Sequence, residues 1–596
     1  MFIMLCSLPK KSIKIKNRSK IILKKLKSAM KPTLFFIVFV FLSVGCKSKK
    51  NLNSSIISSP KKELSAKEMQ TWYQKDILLD GIPGISLDKW YASNKKKPQS
   101  KDIIVAVIDT QIDLNHEDLR GQFWTNSKEI PNNGIDDDKN GYIDDINGWN
   151  FKGNKNGDYL VWGNYDYARL VREWEPLFKD KTEPQIDSDN LHKYKEYNRA
   201  LTKLEDENKY YKNWLKSLDH NVVIFPLVKD TLKYFFPKED YTYNQLDSLY
   251  KKYKINDKRY RQRRDDNDKD LGALISYMMI SLEVDQKTLK DVIDQQTYLD
   301  SVVNKNINKN FNDRILIGDN PNVLEKGYGN NILNNKVEYQ SIQDHSTKVT
   351  GVIAANRENN IGIKGIAQNV KIMPLNIIPV GDEQDKDVAM AIFYAVDNGA
   401  KIINMSFGKE FSLHKEWVEE AFKYAEEHDV LLVHCSGNNG FDIDKNPFYP
   451  NDSDFENYNE KNSNFLNVGS ITHRLDSTFV SDFSNYGKHN VDIFAPGDEI
   501  YSTSTENSHY KFDSGTSFSG PMVSGTAAII WSYYPNLTAK EVKQIIMDSG
   551  TSYSIDVILP GTEDKKVTFT ELSKSGKVLN VYNAMRLSKK VSKKKK

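Results

Sequence analysis

The sequence predicts an α/β fold with a mostly parallel sheet, interrupted by one large helical insertion. Three observations predict it. Residues 103–108 (IIVAVI) are continuously apolar and mostly β-branched, as in a strand buried on both faces. Beyond residue 344, further strands of this kind alternate with helical segments of ordinary length, a pattern typical of βαβ units. Between these regions, roughly over residues 160–320, apolar residues recur every three or four positions, which indicates amphipathic helices.

The predicted elements after residue 344 follow one another closely. Helices are predicted over 349–355, 388–398, 417–427, 517–533 and 538–548, and strands over 370–378, 401–405, 430–434 and 465–471. Ligands of open α/β sheets bind outside the carboxyl ends of the strands. We therefore expect the functional residues at that edge.

The insertion, assigned to residues 151–335, allows two interpretations. It is either a helical layer packed on the body, or a substrate-gating lid or partner-docking arm. Its segment 273–282 (ALISYMMISL) is apolar enough to require burial.

Charge is distributed unevenly along the 596 residues. The formal net charge is +4, but residues 1–45 hold ten Lys or Arg and no Asp or Glu, so the remainder carries 4 − 10 = −6. Residues 588–596 form a basic tail. An acidic body argues against a nucleic-acid partner held by a broad basic face. Three cysteines cannot build a disulfide framework.

The N-terminus has the pattern of an export signal. An apolar run of about 11 residues from Leu34 to Val44 is too short to span a bilayer, and Lys31 precedes it. The Gly45-Cys46 junction resembles that of bacterial lipoprotein signals. This resemblance implies that residues 1–45 are removed and that Cys46 carries a lipid. Residues 46–70 would then tether the protein to a cell-envelope membrane, the outer membrane facing the periplasm. An ordinary secretory signal is the alternative, and residues 1–29 fit an upstream extension from a misplaced start codon.

Three short motifs bring together residue types suited to nucleophilic catalysis. Ser517 lies in GTSFSGP at a predicted helix start, where N–H groups favour developing negative charge. His345 begins another predicted helix, and Asp109 ends the first strand. At one sheet edge, the Asp can orient the imidazole, the His can accept the hydroxyl proton and the Ser can attack a carbonyl.

These motifs, in the order Asp, His, Ser, resemble the three signatures of subtilisin-like (subtilase) serine peptidases. The segments INMSFG, FSNYG and FAPG after residue 402 resemble further landmarks of that family. The resemblance covers roughly residues 100–150 and 340–585. It implies a three-layer subtilisin-like fold, built from residues 71–150 and 336–587, and a serine endopeptidase with Asp109, His345 and Ser517 as its triad. Peptides or proteins would be the substrates of a monomer without a catalytic cofactor.

The same resemblance assigns binding residues. The segment CSGNNG after residue 434 is similar to the family's A-x-G-N-[EDS]-G, which makes Asn438 the side-chain donor to the oxyanion. Asn439 is its competitor, because an Asn in a Gly-rich turn often only forms the turn. Substrate contacts are implied for Ser406, Phe407, Gly408 and Gly437.

Two departures from the family pattern motivate an alternative function. Gln111 and Ser346 replace glycines, and the family's H-G-T-H becomes HSTK. A larger residue beside the imidazole could crowd it. The alternative is therefore a catalytically weak or inactive lipoprotein that binds peptides or protein partners.

A possible calcium loop follows the first strand. In DDDKNGYIDD, the spacing of Asp136, Asp138, Asn140 and the carbonyl of Tyr142 fits positions 1, 3, 5 and 7 of an EF-like loop. Position 12 is Asn147 rather than Glu, so the bidentate ligand is missing. The alternative is a solvated acidic turn.

Residues 72–92 are expected to be an N-terminal arm of the mature protein. Little chain remains between Cys46 and the first strand for a separate inhibitory propeptide. We therefore expect that maturation needs only removal of the signal.

Overall fold

The structure, a computed structural model, describes residues 63–94, 96, 98, 102–334, 341–454, 456–505 and 509–595. Its strands, in chain order, are β1 Ile103–Asp109, β2 Trp149–Asn150, β3 Val370–Asn376, β4 Ile402–Met405, β5 Leu431–Cys435, β6 Phe465–Ile471, β7 Ile493–Pro496, β8 Ile500–Thr503, β9 Tyr510–Asp513, β10 Thr551–Ser552, β11 Asp556–Ile558, β12 Lys566–Thr568 and β13 Lys577–Val578. Its α-helices are α1 Ala66–Thr71, α2 Leu87–Ser93, α3 Asp166–Phe178, α4 Leu191–Lys233, α5 Tyr243–Tyr253, α6 Tyr260–Asp265, α7 Leu271–Glu283, α8 Leu289–Ser301, α9 Ser341–Ala354, α10 Asp385–Asp397, α11 Lys415–Glu427, α12 Thr516–Tyr533, α13 Ala539–Ser549 and α14 Val581–Lys594.

Nine of these strands form one central sheet in the order β10-β13-β7-β6-β5-β4-β1-β3-β2. All neighbouring pairs are parallel except β10 with β13. Strand β1 lies between β3 and β4, and its last four residues are fully buried apolar or acidic positions. The carboxyl ends of β1, β4 and β5 therefore meet at one edge.

Helices cover both faces of the sheet. One apolar core holds the buried faces of α9, α12, α13 and α14, and the other holds those of α10 and α11. The result is a three-layer α/β structure, which confirms the predicted fold class.

The insertion lies between β2 and α9 and contains helices α3 to α8. It has an apolar core of its own, in which α7 is buried as its sequence requires. A second cluster joins α3 and α4 to Phe411 of the body. The insertion is thus packed on the α/β body through a defined apolar contact.

The N-terminal arm belongs to the main core. Trp72 and Tyr73 are fully buried there, and the backbone of Val581 donates a 2.8 Å hydrogen bond to the carbonyl of Ile85. Helix α1 begins inside the segment assigned to the tether, because Ser65 and Glu68 form a reciprocal capping box.

The expected basic tail is also ordered in part, since α14 continues to Lys594. Lys595 pairs with Glu541 of α13 at 2.6 Å, which holds the end of the helix on the body. Within the described residues, no helix is both long and apolar enough to cross a membrane.

Candidate active site

Asp109 and His345 form the first half of the site. The His345 Nδ1 lies 2.7 Å from the Asp109 Oδ1, and both side chains are buried. The backbone N–H of Thr110 also donates to the Asp109 Oδ1, at 2.6 Å, and so fixes the carboxylate at the end of β1. Since the carboxylate can only accept, Nδ1 carries the proton and Nε2 keeps its lone pair.

The pKa of His345 lies above its ordinary value of 6.5. Burial alone lowers this pKa, but the negative charge and hydrogen bond of Asp109 outweigh burial. Asp109 therefore both orients the ring and stabilises its protonated form.

Ser517 is the second residue of α12 and lines the same cavity as His345. Its hydroxyl donates a 3.0 Å hydrogen bond to the carbonyl of Ser406, while the Ser406 hydroxyl donates to the carbonyl of Ser517 at 2.9 Å. The first N–H groups of a helix have no intrahelical acceptor. The backbone N–H of Ser517 is therefore available to an oxyanion beside its own hydroxyl.

Asn438 lies beside Ser517 and is oriented by Thr516. The Asn438 Oδ1 accepts hydrogen bonds from the Thr516 N–H at 2.8 Å and from the Thr516 hydroxyl at 2.9 Å. Because the oxygen is held in this way, the Nδ2 is the part of the amide left for a ligand in the cavity. Sequence reasoning missed the role of Thr516, although it stands in the serine motif.

A cavity of about 210 Å³ is lined by His345, Asn438 and Ser517. The residues assigned to substrate contact, Ser406, Phe407, Gly408 and Gly437, line it together with His345, Asn438 and Ser517. Gly437 has a φ of +97°, and a Cβ there would lie 2.4 Å from the Asn485 Nδ2. Asn485 also accepts from the N–H groups of Asn439 and Phe441, so it shapes the turn that carries Asn438.

Ser346 does not displace the imidazole. Its backbone N–H donates to the Thr110 hydroxyl at 3.2 Å, and the contact between His345 and Asp109 stays at 2.7 Å. Lys348, in place of the family's second His, is buried between Asp344 and Asp513, with 2.8 Å to Asp513. The lysine that replaces the family's second His is therefore accommodated by a buried cluster of ion pairs.

Two further buried groups adjoin the site. Gln111 is fully buried, and its amide atoms have no hydrogen-bond partner among the described residues. Cys435 is a free thiol whose pKa burial raises to about 12, so it behaves as a small apolar residue.

The possible calcium loop brings three carboxylates together. Glu129, Asp136 and Asp138 each offer an oxygen within 4.8 Å of the others. Glu129 was missed in the sequence because it lies outside the loop spacing. The Asn140 Oδ1 accepts from the Tyr142 N–H at 2.8 Å, so this oxygen is engaged within the turn. The donor set of hard oxygens fits Ca²⁺.

Comparison with known proteins decides the family. A sequence profile for the subtilase family matches residues 100–571, most of the chain. The chain belongs to the subtilase family. This subtilase is 34% identical over 230 residues to a thermophilic serine proteinase of Bacillus sp. (strain AK1), covering 38% of this chain and 52% of that protein. It is 32% identical over 237 residues to a cell wall-associated protease of Bacillus subtilis (strain 168), covering 40% of this chain and 24% of that protein.

This subtilase thus spans about half the length of the first of these relatives and a quarter of the second. Among solved structures, it is similar to a protease of Pseudoalteromonas arctica PAMC 21717, at 25% identity over 41% of this chain and 70% of that one, with a TM-score of 0.34. The proposed lipid-bearing Cys46 lies outside the described residues.

Proposed function

We propose that this subtilase is a serine endopeptidase that hydrolyses peptide bonds through Asp109, His345 and Ser517. The observation that carries the proposal is the buried hydrogen bond between Asp109 and His345, because His345 lines the same cavity as Ser517. Membership of the family supports it.

In the proposed mechanism, the Ser517 hydroxyl turns from the Ser406 carbonyl toward the His345 Nε2. His345 accepts its proton, and Ser517 Oγ attacks the substrate carbonyl. Catalytic hydrogen bonds often tighten only when substrate is bound. The oxyanion would accept from the Asn438 Nδ2 and the Ser517 N–H. His345 then protonates the leaving amine, and water hydrolyses the acyl-enzyme by the reverse sequence.

The substrate would bind as an extended strand along Ser406–Gly408. Main-chain hydrogen bonds in such a strand give affinity, and side-chain pockets give selectivity.

A fluorophosphonate probe tests this function. We expect stoichiometric labelling of the wild-type protein and none of Ser517→Ala. An unlabelled but folded wild-type protein, or equal labelling of the two, would favour the alternative of an inactive peptide-binding subtilase. The close contact between His345 and Asp109 beside Ser346 supports the peptidase over that alternative.

We also propose that a lipid on Cys46 anchors a monomer to the periplasmic face of the outer membrane. The basic, apolar and small-residue order of residues 31–46 supports this. The Cys46→Ser variant should be found in the soluble fraction, whereas the wild-type protein should be found in the membrane fraction. Mass spectrometry should detect the acyl group only on the N-terminus of the wild-type protein.

Ca²⁺ would be a structural ion in this protein. The clustered oxygens of Glu129, Asp136 and Asp138 support its binding in the loop that leads into β2, where it would stabilise the segment between β1 and β2.

A further inference from the structure

The insertion supplies one wall of the cavity that holds Ser517. The cavity is lined from the insertion by Tyr165, Tyr167, Lys203, Glu207 and Tyr211, and facing them from the body by Asp382, Glu383, Lys409, Glu410 and Phe411. The site is therefore composite, and the insertion can select substrates directly.

Specific contacts with the body hold the insertion side of this wall in position. The Arg199 guanidinium of α4 donates to the Glu410 carbonyl at 2.7 Å and lies 3.6 Å above the Phe411 ring. Lys203 of the same helix pairs with the Glu410 carboxylate at 3.0 Å. These contacts attach α4 to the segment that continues from Ser406–Gly408.

The insertion residues and the body residues that face them together form the wall of this part of the cavity. Carboxylates outnumber ammonium groups along this wall. The lining carboxylates are Glu207, Asp382, Glu383 and Glu410, and the lining ammonium groups are Lys203 and Lys409. Lys409 is already paired with two further carboxylates behind the wall, Asp166 at 2.6 Å and Asp385 at 2.8 Å. The Lys409 charge is therefore engaged there, and Lys203 pairs with both Glu207 and Glu410, so the ionised carboxylates of the wall still exceed its ammonium groups.

Glu383 is the most buried of the acids that line the wall. It is 2% exposed, and its Oε1 has no hydrogen-bond partner among the described residues. Burial raises the pKa of Glu383 to about 8 against the opposing charge of Lys409, with a smaller contribution from Asp382, so this carboxyl group is largely protonated at neutral pH. A cation entering the cavity would favour the ionised form of Glu383 and so gain a negative charge opposite it.

The aromatic part of the wall suits the same kind of ligand. Tyr165, Tyr167 and Phe411 pack in one cluster, with the rings of Tyr165 and Tyr167 stacked 5.4 Å apart. Arg199 already places a guanidinium on Phe411. Aromatic faces bind the stems and charged heads of Lys and Arg through cation–π contact.

We propose that this wall is a subsite for a lysine or arginine side chain of the substrate. Glu410 is four residues along from Ser406, and an extended chain rises about 3.3 Å per residue. The basic residue would therefore lie about four positions from the scissile bond. The inference rests on the proposed peptidase function for its position relative to the scissile bond.

Matched fluorogenic peptides test the subsite. They are identical except for Lys, Ala or Glu at the fourth position on either side of the scissile bond. We expect kcat/KM for the Lys peptide to exceed that for the Glu peptide by about tenfold or more, because like charge against this wall is unfavourable. Glu207→Gln and Glu383→Gln should each reduce this ratio several-fold.

Asp230→Asn is the matched control, since Asp230 is an exposed carboxylate of α4 away from the cavity. It should leave the ratio unchanged. Equal cleavage of the Lys and Glu peptides by the wild-type protein, or a ratio unaffected by both Gln variants, would overturn the proposal.

Binding to Ser517→Ala separates this inference from the proposed function. Fluorescence anisotropy with the same labelled peptides should rank Lys above Glu even without turnover. If the probe fails to label Ser517 but this ranking holds, the peptidase proposal fails and the basic-residue subsite stands. If labelling succeeds and the ranking is absent, the subsite alone is refuted.

Discussion

The imidazole of His345 and the carboxylate of Asp109 are 2.7 Å apart, although 236 positions separate them in the sequence. The insertion lies between them along the chain and also lines the cavity beside them. Activity, stability and selectivity can therefore be tested by separate substitutions.

The acidic limb of the pH–activity profile should lie above pH 6.5, the ordinary His pKa. His345 must be neutral to accept a proton, and its pKa is raised because Asp109 outweighs burial. In Asp109→Asn, burial acts without that charge, so the limb should move to lower pH. The rate should fall by about 10⁴-fold, as for the same change in a trypsin-like triad. Stopped assays of kcat/KM across pH 5–9 measure both effects; a limb that stays in place would contradict this role of Asp109.

Removing the Asn438 amide should lower kcat and leave KM nearly unchanged. For Asn438→Ala we expect a loss of about 10²–10³-fold, the magnitude known for subtilisin. Asn439→Ala is the control, because the Asn439 Nδ2 donates to the Glu410 carboxylate at 3.4 Å, whereas the Asn438 amide is held at its Oδ1 by Thr516. An equal loss in both variants would indicate that the turn, and not the Asn438 donor, is responsible.

Thr516→Val should give a smaller loss than Asn438→Ala. The substitution removes the hydroxyl that donates to Asn438 and accepts from the Gly437 N–H at 3.1 Å, but it keeps the Thr516 N–H. The amide would be held by one contact instead of two. A pre-steady-state burst distinguishes slower acylation from slower product release; an unchanged acylation rate would exclude a positioning role for the hydroxyl.

Lys348→Met should destabilise the fold by about 3–5 kcal/mol, because it leaves Asp344 and Asp513 as unpaired, largely buried charges. Lys445→Met removes an exposed ion pair with Asp442 and should change stability by less than about 1 kcal/mol. Urea unfolding followed by circular dichroism compares the two. Equal stabilities would show that the cluster beside His345 contributes little.

Chelation should lower the unfolding temperature of a protein that holds Ca²⁺ at Glu129, Asp136 and Asp138. A ligand present at 100 times its Kd stabilises by about 2.7 kcal/mol. Asp138→Asn should remove most of the calcium-dependent shift, and Asp206→Asn, on the exposed surface of α4, should retain it. A midpoint that does not respond to chelator would reject a bound, stabilising ion.

The N-terminal arm should remain in the mature protein. Trp72→Ala deletes a fully buried side chain and should cost about 3–5 kcal/mol, whereas Leu78→Ala, at a position 62% exposed, should cost less than about 0.5 kcal/mol. Intact mass should show residues 72–92 present. A new N-terminus near Lys101 would contradict this.

Local patterns located most of the body. Strand β6 has the predicted bounds, and α12 begins one residue before its predicted start, because buried β-branched runs and small-residue helix starts are local signals. The triad residues could be named because each stands in its own motif. Their mutual distances depend on the order of β1, β4 and β5 in the sheet, which no single segment encodes.

The parts that were not predicted depend on tertiary contacts. The hairpin of β8 and β9 and the two-residue strand β2 are too short for periodicity. Which face of α4 meets the cavity depends on the contact between Arg199 and Phe411, residues that are distant in sequence. Glu129 joins Asp136 and Asp138 only through the turn of the folded loop.

The separate apolar core of the insertion also bears on the order of folding. Closing a flexible loop costs more entropy as the loop lengthens, by about 0.6 kcal/mol for each doubling. If helices α4 to α8 first collapse around their own core, the chain between β2 and α9 acts as a much shorter connection. Asp109 and His345 would then meet late, after the insertion has folded, and the nascent protein would stay inactive until folding is nearly complete.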